Sequence, residues 1–249
     1  MSGHNKWAKI KRKKGVNDAK RGRLFTRLIK EMTIAARDGG GNPQGNPRLR
    51  LAIEKAQGAN MPAENIKRAI QRGTGELPGV TYEEVTYEGF GPGGVALMIE
   101  SVTDNKNRTV AEIRHILERY NGKFGALNSV SYMFHRKGII TVPTAAVAED
   151  DLMNLIIESG GDDMRTEDEL YHVVTSPESF DAVRKALEAR GIKPEEAEIQ
   201  LVPENTVRVE GKDAEQLLKL LDMLEDNEDV QHVYANFDMD EKLLATLGE

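Results

Sequence analysis

IITVPTAAVAEDDLMNLIIESGGDDMRTEDELYHVVTSPESFDAVRKALEARGIKPEEAEIQLV, residues 139–202, is the stretch that decides the fold. A β-branched run from Ile139 to Val142 leads into a helical stripe through Leu152 and Ile156. A hairpin around Glu167 and Asp168 follows, then a helix from Pro177 to Arg190 and a strand from Ala197 to Val202. Apolar periodicity near 3.6 marks the helices and short β-branched runs mark the strands. Their order, βαββαβ, is that of the ferredoxin-like unit.

Upstream, the strand-like runs Tyr82–Glu88 and Val95–Val102 flank the turn FGPGG, Phe90–Gly94. That turn precedes a strand and lacks a P-loop pattern, so it reads as a hairpin and not as a phosphate cradle. A helix carrying Val110, Ile113, Leu117 and Tyr120 ends at Gly122, and Ser129–Phe134 alternates Val130, Tyr132 and Phe134 like a strand. Downstream come a strand over Thr206–Glu210, a helix striped by Leu217, Leu220, Leu221 and Leu224, and a strand over Val230–Asn236. This terminal βαβ has too little sheet to bury both of its faces. Joined to the βαβ of residues 95–134, it completes a second ferredoxin-like unit.

Nearer the N-terminus, Phe25, Leu28, Ile29, Met32 and Ala36 fall on one helical face after Asn17 or Asp18. A glycine- and proline-rich loop spans Gly39–Pro47, with Asn46 as an N-cap and Pro47 at the first helical position. Leu49, Ala52, Ile53 and Ala56 stripe a second helix; Ile66, Ala69 and Ile70 stripe a third, which starts at Pro62 and stops at Gly73. The fold class expected is α+β and multidomain, a three-helix bundle followed by two ferredoxin-like α/β sandwich domains, one inserted in the other. Its boundaries are 1–79 for the basic arm and helical domain, 80–134 with 205–249 for the discontinuous α/β domain, and 135–204 for the inserted one.

Charge is segregated along this plan. Residues 1–75 hold 18 of the chain's 34 Lys and Arg but only 5 of its 41 Asp and Glu, leaving 16 basic and 36 acidic residues for the remainder. A net charge of −7 therefore conceals a strongly cationic N-terminal part. There is no cysteine, which excludes disulfide frameworks, thiolate zinc sites and iron–sulfur clusters. No run of 18 apolar residues and no N-terminal apolar segment occurs, so a cytoplasmic protein with no membrane partner is expected. The five histidines, His4, His115, His135, His172 and His232, show no metal-ligand spacing, and no nucleophile elbow is present. No cofactor is expected. The carboxylates Glu225, Asp226, Glu228 and Asp229 read as a solvated helix-to-strand connection, with a divalent-metal hydrolase site as the weaker alternative.

The residues singled out for binding are Lys6, Trp7, Lys9, Lys11, Arg12, Lys13, Lys14, Lys20, Arg21, Arg23 and Arg27. A run of charge is usually a solvated face, but within the first 30 residues only Asp18 compensates these cations. Contact with a phosphate backbone, which releases condensed counterions, is the stronger reading. Trp7 offers a ring on which an unstacked base could lie, or else tucks against the bundle; the residues leave both open. Residues 47–73 hold two short helices that a helix-turn-helix reader would need, the second with Lys67, Arg68 and Arg72, although any αα-hairpin shares that grammar.

The stretches GHNKWAKIKRKKG (3–15), DAKRGRLFTRL (18–28), NPRLRLAIEKAQGANMPAENIKRAIQRGTG (46–75) and YEGFGPGGVALMIESVTDNKNRT (87–109) closely resemble the YebC family. The likeness continues through SVSYMF (129–134) and DVQHVYANFDM (229–239) and so covers essentially the whole chain. Asn128 stands where the family pattern has glycine, a departure confined to local turn geometry. The family includes bacterial proteins described as transcriptional regulators and the mitochondrial translational activator of cytochrome c oxidase. The resemblance implies a helical N-terminal domain with two α/β domains, and its basic motif lands on Lys6, Trp7, Lys9, Lys11, Lys14, Lys20 and Arg21. A non-enzymatic regulator is expected, with DNA as the leading partner and ribosomal RNA, in a translation activator, as the alternative. Protein partners would meet the acidic α/β domains.

Overall fold

The computed structural model describes Trp7, residues 18–167 and residues 169–240, and for residues 18–20 the backbone alone. In chain order its main elements are α1 (Asp18–Gly39), α2 (Pro47–Gly58), α3 (Ala63–Gly73), β1 (Glu83–Phe90), β2 (Ala96–Thr103), α4 (Lys106–Arg119) and β3 (Lys123–Phe124). Next come β4 (Phe134–Pro143), α5 (Glu149–Ser159), β5 (Gly161–Glu167), β6 (Leu170–Thr175), α6 (Phe180–Ala189) and β7 (Glu196–Pro203). The chain closes with β8 (Val207–Arg208), α7 (Gly211–Asp226), β9 (Val230–Ala235) and β10 (Phe237–Asp238). Two compact units result, Met1–Ser131 with Thr206–Glu249, and Tyr132–Asn205.

In the first unit, α1 is the centre of a small bundle. Its Leu28, Met32, Ala35 and Ala36 are buried against Leu49, Ala52 and Ala56 of α2 and Ile66 and Ala69 of α3. Asn46 ties the loop down from both ends of its side chain: Oδ1 accepts from the Leu49 amide at 3.0 Å and Nδ2 donates to Ala35 O at 2.7 Å. Small residues let the helices approach closely. A Cβ at Gly73 would lie 2.3 Å from Thr33 O and 2.7 Å from the Ala36 Cβ, so no other residue fits there without moving α3 off α1.

The α/β part of this unit is a sheet of order β3-β1-β2-β9 with antiparallel neighbours throughout. FGPGG makes the β1–β2 hairpin, closed by a 2.7 Å bond from the Gly91 amide to Val95 O, with Gly93 and Gly94 at φ +72° and +77°, where a side chain would be strained. Helix α4 returns the chain from β2 to β3 with β1 between them, a split βαβ. Ile113 and Leu117 of α4 and Leu217, Leu220, Leu221 and Leu224 of α7 are buried with Tyr87, Leu97, Ile99 and Val233. Each fully buried leucine contributes about 2 kcal/mol relative to exposure.

Two strand assignments made from the sequence are corrected. Residues 129–134 do not form a strand: Ser131–Met133 is a turn of 3-10 helix, and the strand begins only at Phe134, in the other unit's sheet. Glu88 is the reason. Its carboxylate accepts the amides of Asn128 (2.7 Å), Val130 (2.7 Å) and Ser131 (3.0 Å), which removes those donors from any ladder. Residues 206–210 do not enter the four-stranded sheet either; only Val207–Arg208 pairs, in parallel with β10. The interior place beside β2 is already held by β1, delivered by the short hairpin, and closing a short loop costs less entropy than recruiting a distant strand.

The second unit is ferredoxin-like in strand order, β5-β6-β4-β7, all neighbours antiparallel. Ile140, Val142, Met164, Tyr171 and Val173 of the sheet are buried against Leu152 and Ile156 of α5 and Phe180, Val183 and Leu187 of α6.

Candidate nucleic-acid interface

Lys6, Lys9, Lys11, Arg12, Lys13 and Lys14 lie outside the described residues, and Lys20 is placed by its backbone alone, in the first turn of α1. Trp7 is 3% exposed and belongs to the apolar cluster of Tyr87, Leu97 and Leu217. The sequence leaves Trp7 open between a base platform and a place against the bundle; the structure places it in the α/β core. Its ring is closed to an incoming base, and it packs in the α/β core, not in the core of the bundle. Burial of so large an apolar ring explains the choice, even though the indole Nε1 finds no hydrogen-bond partner.

Arg21 is exposed, its guanidinium 5.7 Å from the centre of the Phe25 ring. Arg23, Arg27 and Lys30, at spacings of four and three, share one side of α1 and face the α/β part of the unit. Arg23 Nη2 donates to Asp226 at 3.2 Å. Arg27 is half-buried near Glu225 and Asp226; burial pulls its pKa below the usual arginine value while the two carboxylates oppose that, and its Nε is buried without a hydrogen-bond partner. Lys30 is buried, with Nζ donating to Asp229 Oδ1 (2.6 Å), Glu228 O (2.9 Å) and Val102 O (3.2 Å).

Asp229 is the centre of this contact. Besides Lys30 it accepts from Arg108 at 2.7 Å, Thr109 at 2.7 Å and Thr103 at 3.2 Å. Burial opposes its charge, yet the hydrogen bonds from Lys30, Arg108 and Thr109 hold its pKa down at about 2. Breaking a buried pair of this kind by removing one partner costs about 3–5 kcal/mol, whereas a solvent-exposed pair such as Arg23–Asp226 contributes roughly 0–1 kcal/mol. Further out, Arg48 bridges Glu31 of α1 and Glu84 of β1, and Arg37 donates to Tyr82 O. The acidic 225–229 connection is thus an ion-pairing rim, and among the described residues no three His, Asp or Glu side chains converge as a metal site.

Part of the charge segregation is therefore used inside the molecule. Among the described cations that the bundle turns outward are Arg21 and, on the exposed face of α3, Lys67, Arg72 and Arg68, the last paired with Glu64 at i,i+4. Reading the sequence missed Lys30 as a buried cation. The available signal was its position in the 23–27–30 stripe and the four carboxylates of the 225–229 connection, but only the tertiary fold brings the two together.

A basic helical module docked on an acidic α/β layer in one unit, with a ferredoxin-like unit as an insertion in the chain between residues 131 and 206, defines the class: an α+β multidomain protein. The chain belongs to the TACO1/YebC family. The family's N-terminal domain matches residues 5–76, and its second and third domains match residues 82–237. It is 55% identical over 250 residues to a probable transcriptional regulatory protein of Chlorobaculum tepidum, with all of both chains covered. A probable transcriptional regulatory protein of Chloroherpeton thalassium is 56% identical over the same span, again with complete coverage. Among solved structures, a conserved hypothetical protein of Aquifex aeolicus superposes with a TM-score of 0.81 at 48% identity, covering 90% of this chain and 92% of that one.

Proposed function

We propose that this protein is a non-enzymatic, DNA-binding transcriptional regulator whose cationic N-terminal part holds the phosphate backbone. The observation that carries the reading is the excess of 18 basic over 5 acidic residues in the first 75. Lys6, Lys9, Lys11, Arg12, Lys13, Lys14 and Lys20 supply most of the charge, joined by Arg21 and, on the outward face of α3, Lys67 and Arg72. Gln71 and Arg72 have the donor patterns that read adenine and guanine edges in a major groove. The burial of Trp7 supports a duplex as the partner over splayed single-stranded bases, which would need an exposed ring to stack on. The names carried by the relatives support regulation of transcription. The acidic α/β parts would repel nucleic acid and are left for protein partners.

A salt titration of binding to duplex DNA, structured RNA and intact ribosomes tests this. Ten phosphate contacts give a slope of log affinity against log salt of about −9 on duplex DNA. Substituting Lys9, Lys11 and Lys13 by Gln should make that slope shallower by about 3. An affinity independent of salt overturns the phosphate mechanism. Tight RNA or ribosome binding beside weak DNA binding replaces the transcriptional reading with one in translation.

A further inference from the structure

We propose that Glu225 and Asp226 form a built-in anionic competitor, held against Arg23 and Arg27 on α1, which nucleic acid must displace before it can use those two arginines. The inference rests on the nucleic-acid reading above and concerns how that binding is restrained.

Both carboxylates stand in the last turn of α7, which has no basic residue to offset them. That end of a helix already carries partial negative charge, so acidic side chains there are locally unfavourable and need a partner elsewhere. Their partners are on α1, through the Arg23–Asp226 pair and the charges of Glu225 and Asp226 beside Arg27. Carboxylates facing two arginines one helical turn apart present the charge and acceptor oxygens that backbone phosphates would present.

Holding and releasing are divided between two kinds of contact. Three residues beyond Asp226, Asp229 is locked to Lys30 and Arg108 in a buried cluster that keeps the connection in place. The Arg23–Asp226 pair is on the solvent side, with side chains 28% and 43% exposed, where a phosphate can exchange for the carboxylate by side-chain rotation. Arg27, desolvated and with Nε lacking an acceptor, gains a hydrogen bond when a phosphate replaces its present surroundings.

The test compares the full-length chain with its Glu225→Gln, Asp226→Asn double variant, using a labelled DNA duplex and a labelled RNA hairpin of equal charge. Each arginine released to a phosphate should tighten binding about fivefold at 0.15 M salt and steepen the salt slope by about 0.9. Adding Arg23→Gln to the double variant should remove the share of the gain due to Arg23. Glu215→Gln serves as control: it removes one negative charge from the same helix about 16 Å away along the axis, roughly two Debye lengths. Affinity and slope unchanged in the double variant, while the wild type binds, overturn the competitor and leave the nucleic-acid reading standing. An equal gain from Glu215→Gln also overturns it, because general charge reduction then accounts for the effect. If the double variant binds neither polyanion, both fall together.

Discussion

Two buried carboxylates, Asp229 and Glu88, carry the sharpest consequences at the scale of the residue. Asp229 pairs with Lys30 and, together with Asp104, with Arg108, and also receives two threonine hydroxyls, so Asp229→Ala leaves a buried ammonium without its carboxylate and should cost about 3–5 kcal/mol. Trp7 is the chain's single tryptophan and lies in the same unit's core, so its fluorescence during urea unfolding reads this loss without contribution from the inserted unit. Because the folded pKa of about 2 lies below the ordinary 3.8, the stabilisation is complete above pH 4. It is lost as pH falls from 4 to 2. By this route the wild type should lose about 2 kcal/mol across that window, and Asp229→Asn should lose that much less, giving a flatter profile. Glu88 is likewise held below the usual carboxylate range: burial opposes the charge, but the amides of Val130, Asn128 and Ser131 outweigh it. Glu88→Ala orphans three amides and should cost about 2–3 kcal/mol, with faster hydrogen exchange confined first to residues 128–131. Unchanged exchange there would show that the turn holds itself.

Among the elements, the packing of α3 on α1 sets two opposing effects against each other. Replacing a helical glycine with alanine gains about 1 kcal/mol of helix propensity. At Gly22, where an added Cβ meets nothing within 4 Å, that gain should appear in full as a higher midpoint for the bundle. At Gly73 the same methyl meets backbone at 2.3 Å, overpacking costs about 1–3 kcal/mol, and the net change should be destabilising. Helical signal at 222 nm through urea unfolding separates the two, and equal shifts at both positions would contradict the close approach. The helices were legible because capping and apolar stripes are local: Asn46–Pro47 and the Leu217–Leu224 stripe mark α2 and α7 where they stand. Strand partners were legible in the FGPGG hairpin and in the inserted βαββαβ unit, but not at residues 129–134 and 206–210, where pairing is decided at long range. Nothing in SVSYMF reveals that Glu88, some forty residues earlier, takes its amides, nor does TVRVE reveal that β1 has filled the central place. The same limit applied to the candidate site. Arg23 and Arg27 read as cations for phosphate, but whether they and Lys30 meet phosphate or Asp226 and Asp229 depends on a contact some two hundred residues away in the chain.

On the scale of the whole molecule, the inserted unit enters and leaves through neighbouring strands. Phe134 of β4 pairs with Pro203 of β7, and the Glu204 amide donates to Met133 O at 2.8 Å, so the two connections leave side by side. A segment inserted this way can be removed without pulling the host unit open. Joining Ser131 to Thr206 through a short Gly/Ser link should therefore preserve the buried Trp7 fluorescence and the urea midpoint of the remaining unit. Residues 132–205, expressed alone, should unfold cooperatively as an independent ferredoxin-like domain. The excision also changes the electrostatics. Those 74 residues carry 7 of the basic and 16 of the acidic side chains, so the net charge moves from −7 to +2. With that anionic mass gone, repulsion of a phosphate backbone weakens, and non-specific duplex binding should tighten most at low salt, where the screening length is about 30 Å at 0.01 M against about 8 Å at 0.15 M. Tightening that persists undiminished at 0.15 M would instead mean that the inserted unit blocks the basic surface directly. A red-shifted Trp7 spectrum after excision would mean that the host unit needs the insert to fold.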